Sequence, residues 1–291
     1  MNRYRDNNRI KGAGTALVTP FKKDGSVDYD SLRAVMELNI RGGIDFLCVL
    51  GTTAETPTLT EEEQLEIRKA AVETVSGRVP LLLGFGGNNT SAMVAKLQND
   101  SFEGFDAILV VTPYYNKPNQ EGLYQHYKAL ASASRKPLVI YNVPGRTGVN
   151  ILPETILRIA EDCPNVIAVK EASGNVDQIK RLLAEKPADF TVLSGDDALT
   201  SQLMPFGCAG VISVLSNAMP EAVVGIVHDR ERAEEINNKV SVFYSPLFKE
   251  GNPVGIKAML SIMGIAENNL RLPLVPASDT LMEEFKQLLN Q

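Results

Sequence analysis

The chain has 291 residues, 44% of them apolar and 22% charged, which is ordinary for a globular protein of one large domain or two smaller ones. A net charge of −6 argues against a general nucleic-acid binder, which usually presents a basic face. The polar opening MNRYRDNNRIKG has no apolar h-region, and no apolar stretch is long enough to span a bilayer, so a cytoplasmic location without membrane attachment is expected.

In chain order, a polar arm (residues 1–11) precedes the first apolar run, Thr15–Val18. The second run, Phe46–Leu50, leads into GTTAET and then TEEEQLEIRKAAVETV. That segment reads as a helix: Thr60 and Glu63 have capping-box spacing, and the acidic first turn suits the positive end of the dipole. Leu81–Phe85 is followed by GFGGNNT. Ala107–Val111 is followed by TPYYNKP and the helical QEGLYQHYKALASAS. Leu138–Tyr141 runs into YNVPGRTG and PETILRIAED, with Pro153 placed for a first helical turn. Val166–Val169 ends in KEASGN and NVDQIKRLLAEK. Thr191–Leu193 ends in SGDDA, and Gly210–Val214 in SVLSN. From about Asp229 the pattern is helical only: DRERAEEINNKVSVFY, PVGIKAMLSIMG and SDTLMEEFKQLLN.

Strands alternating with helices imply a parallel sheet. Eight such units match an α/β fold of the (β/α)8 TIM-barrel class, expected over residues 12–228, with a helical extension over 229–291. A doubly wound open sheet fits less well, because TPFKKDGSVD after the first run contains no G-x-G-x-x-G. Cys48, Cys163 and Cys208 form no C-x-x-C pair, so free thiols are expected. Two histidines, His126 and His228, are too few for a His-rich metal site and argue against a His-based triad.

Lys170 closes an apolar run that reads as a strand buried on both faces. The bland reading is a lysine reaching solvent or pairing with Glu171. The functional reading is an amine nucleophile, active when unprotonated in a desolvated site and suited to Schiff-base chemistry. In a barrel of this class the active site lies at the C-terminal strand ends, which here carry Lys170, tyrosines, Arg146 and vicinal threonines. A Schiff base with a 2-oxo acid needs the amine, a proton shuttle such as Tyr141, and donors for the substrate carboxylate. The backbone N–H groups of Gly51–Thr53 suit the last. A second carboxylate would want a bidentate cation, Arg146. Tyr141 as a core aromatic and Arg146 as a surface ion-pair partner remain open alternatives.

The motifs GTTAE, TPYYNKP, YNVPGRTG, VKEASGN, SGDDA and GVISV, in this order from about Gly12 onward, resemble the 4-hydroxy-tetrahydrodipicolinate synthase family. The resemblance implies a barrel enzyme without cofactor or metal that condenses pyruvate with L-aspartate 4-semialdehyde, on the diaminopimelate route to lysine. It implies Lys170 as the Schiff-base lysine, Tyr141 as proton donor and acceptor, and Thr52 and Tyr115 as the rest of a proton relay. Tyr115 would come from a neighbouring subunit of a homo-oligomer, at least a dimer and expected to be a tetramer. Thr53 and Ile212 would contact pyruvate, Arg146 would hold the semialdehyde carboxylate, and Gly195 would line the site. Ala54 departs from the family's usual Gly and would be strained if that position had a positive φ. Asn88 and Tyr114 match an interface lysine-binding site, whereas Glu61, Gln64 and Ala92 replace its two histidines and glutamate, so weak or absent inhibition by lysine is expected. The alternatives are an N-acetylneuraminate lyase or a 2-keto-3-deoxy sugar acid aldolase, and, from another class, a non-catalytic barrel that binds a keto acid.

Overall fold

The protein is described here by a computed structural model covering residues 3–290. Eight parallel strands pair in sequence order and close into a barrel: β1 Gly12–Ala16, β2 Phe46–Val49, β3 Leu81–Phe85, β4 Ala107–Val111, β5 Leu138–Asn142, β6 Val166–Glu171, β7 Thr191–Ser194 and β8 Gly210–Ser213. The anticipated (β/α)8 class is therefore the observed one.

The first strand lies upstream of its apolar run. Gly14 pairs with Phe46, and a Cβ on Gly14 would stand 2.1 Å from the Phe46 ring, so small residues occupy β1 and the Val/Leu signal falls just past it. Three other strands run one or two residues beyond their apolar cores, ending at Asn142, Glu171 and Ser194, whereas β2 and β8 stop one residue short of theirs, at Val49 and Ser213. Polar residues at the carboxyl ends thus belong to the ladder.

The chain forms two compact units. One comprises Leu82–Val211 with the segment ending at Lys11, and the other Gly12–Leu81 with Ile212 onward. In the first unit β5 pairs with β6 through Ile140↔Val169, Tyr141↔Lys170 and Asn142↔Glu171, and β6 with β7 through Lys170↔Leu193. The polar arm is anchored there. Arg5 is buried, donates to the Val166 carbonyl at 3.0 Å and pairs with Asp189 at 3.1 Å.

In the second unit the Glu61–Val75 helix carries the anticipated capping box, with Thr60 and Glu63 each accepting from the other's backbone N–H. DRERAEEINNKVSVFY is not one helix. It contains Ala233–Val240, a tight turn at Ser241–Phe243, and the start of Tyr244–Lys249, where Pro246, lacking an N–H, belongs in a first turn. Val254–Ile262 and Asp279–Leu289 follow. All three cysteines are free and buried. Among the described residues no helix is long and apolar enough to cross a membrane, and no group of three or more His, Cys, Asp or Glu could hold a metal.

Candidate active site

Side chains alternate across a strand, so within β6 Lys170 and Glu171 face opposite ways. Lys170 is 6% exposed, and its Nζ lies 4.4 Å from the centre of the Tyr141 ring, the residue opposite it in β5. No carboxylate pairs with this amine among the described residues. The neighbouring Glu171 is 1% exposed and is held by Asn142 Nδ2 at 3.0 and 3.2 Å and by the Ser173 N–H at 2.8 Å. The bland pairing of Lys170 with Glu171 does not occur. Burial raises the Glu171 carboxyl above the usual carboxylate range, against the hydrogen bonds from Asn142 and Ser173.

Gly195 makes room for the amine. Its N–H donates to the Glu171 carbonyl at 2.7 Å, and a Cβ there would lie 2.6 Å from the Ala172 Cβ and 3.1 Å from the Lys170 Cε. Lys170, Tyr141 and Gly195 therefore form one cluster. Arg146 lies on the short helix Pro144–Thr147 that follows β5, exposed and without an acidic partner among the described residues. Tyr115 is not in this cluster. It is 85% exposed, with φ of 76°, in the loop after β4.

A second buried lysine, Lys257, contrasts with the first. Its Nζ meets Glu55 Oε1 at 2.5 Å and the Asn269 carbonyl at 2.9 Å, and it lies 4.0 Å above the Phe21 ring. Burial lowers its pKa to about 8, although the Glu55 charge and hydrogen bond oppose that. Lys257 is a tethered ammonium partner, whereas the Lys170 amine has no anion against it among the described residues.

In the second unit, Thr52–Ala54 form a tight turn after β2. Thr53 is buried and accepts from Asn252 Nδ2 at 3.0 Å; Thr52 is half-buried. The left-handed residues here are Leu50 and Glu55, not Ala54, so the departure from glycine costs no backbone strain. Ile212 is buried in β8.

Of the positions that the resemblance matches to a lysine-binding site, Glu61, Asn88, Ala92 and Tyr114 are exposed and Gln64 is half-buried. Asn88 donates to the Tyr114 carbonyl at 3.2 Å, and Ala92 is exposed with its N–H on the Asn89 cap. Gln64 donates to the Leu59 carbonyl at 3.2 Å, and Glu61 opens its helix. Sequence reasoning missed Asn142, Glu55, Lys257 and Asn252. A lysine amid the apolar GIKAMLSI was the readable signal for one of these.

The sequence pattern of the dihydrodipicolinate synthetase family matches residues 9–291. A 4-hydroxy-tetrahydrodipicolinate synthase from Phocaeicola vulgatus is 53% identical, over 97% of each chain. The crystal structure of dihydrodipicolinate synthase from Thermotoga maritima superposes with a TM-score of 0.94 at 43% identity, over 97% of this chain and 98% of that one. A dihydrodipicolinate synthase variant described as monomeric gives 0.93 at 43% identity, over 96% of each chain.

Proposed function

Since the chain belongs to the dihydrodipicolinate synthetase family, we propose that the buried amine of Lys170 runs its reaction, with the cluster around it as the working site. The chain is a 4-hydroxy-tetrahydrodipicolinate synthase, a lyase that condenses pyruvate with L-aspartate 4-semialdehyde in lysine and diaminopimelate biosynthesis. The observation that carries the assignment of Lys170 is a buried lysine with a tyrosine ring against it and no carboxylate on it.

Lys170 adds to the keto carbon of pyruvate, and loss of water gives an imine. Loss of a methyl proton turns the imine into an enamine, whose carbon attacks the aldehyde of the second substrate. The amino group of that substrate then displaces Lys170 and closes the ring. Tyr141, next to the amine, carries protons to and from these intermediates, with Thr52 and a partner-supplied Tyr115 continuing the relay. Thr53 and Ile212 hold pyruvate, and Arg146, exposed and unpaired, takes the carboxylate of the semialdehyde. Gly195 keeps open the space into which the Lys170 side chain extends.

Tyr115 is most useful if it is covered by another copy, so the working form is a homo-oligomer, proposed as a tetramer in the cytoplasm. At the positions matched to a lysine-binding site, the methyl of Ala92 supplies no carboxylate for a ligand's ammonium, so free lysine inhibits weakly if at all. The functional test is a coupled assay with pyruvate and aspartate semialdehyde. Turnover that requires both supports the reading. Cleavage of N-acetylneuraminate or a 2-keto-3-deoxy sugar acid, without that turnover, would replace it with a related aldolase.

A further inference from the structure

The ladder that places Lys170 beside Tyr141 is irregular. Leu138 pairs with Val166, but Val139 pairs with Ala168, so β6 carries an extra residue, Ile167, two rungs upstream of the reacting pair. A one-residue slip in a strand turns every following side chain to the opposite face. Past such a bulge, something must hold the register where Tyr141 meets Lys170.

The next pair along is Asn142 and Glu171, which are 0% and 1% exposed. Asn142 Nδ2 donates to both Glu171 oxygens and to Asn150 Oδ1 at 2.8 Å, and Asn142 Oδ1 accepts from the Ile151 N–H at 3.2 Å. Glu171 also takes the Ser173 N–H, and Asn150 is bound in both directions to Gln178. The network joins β5, β6, the 148–152 loop and the Val176–Glu185 helix immediately behind the reacting pair. A buried carboxylate held only by neutral donors is costly where an apolar pair would pack, so stability alone does not account for it.

We infer that Asn142 and Glu171 are positioning residues for the condensation: their hydrogen bonds lock β5 to β6 beyond the bulge and so hold Tyr141 against Lys170. The inference rests on the proposed role of Lys170. Each strand contributes one member of the lock and one member of the reacting pair, adjacent in sequence, so a shift of either strand moves both together.

The test exchanges donor and acceptor. Glu171→Gln keeps one oxygen for the Ser173 N–H but turns its NH2 against the Asn142 Nδ2 where the shorter contact was, and Asn142→Asp sets one carboxylate against another. Combined, Asp at 142 accepts from Gln at 171, while each keeps an oxygen for the Ile151 or Ser173 N–H. In each single variant kcat should fall about a hundredfold, the scale of a 1 Å misplacement, with KM for pyruvate nearly unchanged. The double variant should recover most of that loss, at matched folded fraction by circular dichroism. Folded single variants with wild-type kcat, or a folded double variant without recovery, would overturn the inference. Asn150→Ser, at the half-buried end of the network, covers the case in which the single variants do not fold. It should lower kcat by a smaller factor, and an unchanged kcat there would leave the network a role in folding alone. Borohydride trapping of pyruvate on wild-type protein separates the two levels: failure to label Lys170 sinks the proposed function, whereas normal labelling with unaffected variants sinks only the lock.

Discussion

Burial alone does not distinguish the two interior lysines; their partners do. Lys257 faces a carboxylate and a carbonyl, Lys170 an aromatic ring. The strand-end position of Lys170 was legible in the sequence because an apolar run stops on it. That Glu171 turns away follows from strand alternation, but what holds it was not legible, since Asn142 lies on β5, 29 residues away. Gly195 offers a sharp residue-level test. A methyl at that position would press on the Lys170 stem and on Ala172. Gly195→Ala should therefore lower kcat by about tenfold to a hundredfold, and the clash with Ala172 should lower the unfolding midpoint as well, by about 1–3 kcal/mol of stability. His126 gives a pH-dependent test. Burial lowers its pKa from 6.5 to about 4, with Thr90 Oγ1 2.8 Å from Nδ1. The unfolded chain binds a proton near 6.5 and the folded chain resists it until about 4, so the stability this ring contributes is complete above 6.5 and lost as pH falls between those values. The loss amounts to about 3 kcal/mol, at 1.4 kcal/mol per pH unit. Urea unfolding at pH 7 and pH 4.5 should show a smaller difference in His126→Gln than in wild type. Equal differences would remove this ring from the acid sensitivity.

Elements were legible where an apolar period dominated and obscure where packing demanded small residues. β2 to β8 follow from Val, Ile and Leu runs; β1 is hidden because Phe46 crowds Gly14. The 51–55 turn was read from its threonines, yet what holds it comes from the C-terminal region. Glu55, in the left-handed conformation, accepts from Lys257 and from the Arg271 N–H at 3.1 Å, while Asn252 holds Thr53. Contacts separated by some two hundred residues leave no local pattern to read. The Lys257–Glu55 pair predicts a non-additive mutant cycle. Lys257→Met strands the Glu55 carboxylate and should cost about 3–5 kcal/mol, whereas the double variant with Glu55→Met should recover most of that loss. Chemical denaturation of the four proteins measures the coupling, and additive losses would contradict a pair buried as a unit.

At the scale of the whole molecule, the barrel class followed from eight repeats of strand and helix, and the family from motifs at the strand ends. Assembly was the least legible property: Tyr115 is 85% exposed, and the proposed relay through it needs a second copy. Mixing Tyr115→Phe with Lys170→Ala, each inactive alone, should restore part of the activity after subunit exchange, since some sites then hold both native groups. Absence of recovery after verified exchange would place Tyr115 in the site of its own chain. The central claim, that Lys170 is the amine that takes pyruvate, is tested most directly by borohydride reduction followed by peptide mapping. With pyruvate present, one stable adduct should form on the peptide containing Lys170, and Lys170→Arg should abolish it, because a guanidinium stays protonated. An adduct on Lys257 or any other lysine, or labelling that persists in Lys170→Arg, would contradict the account.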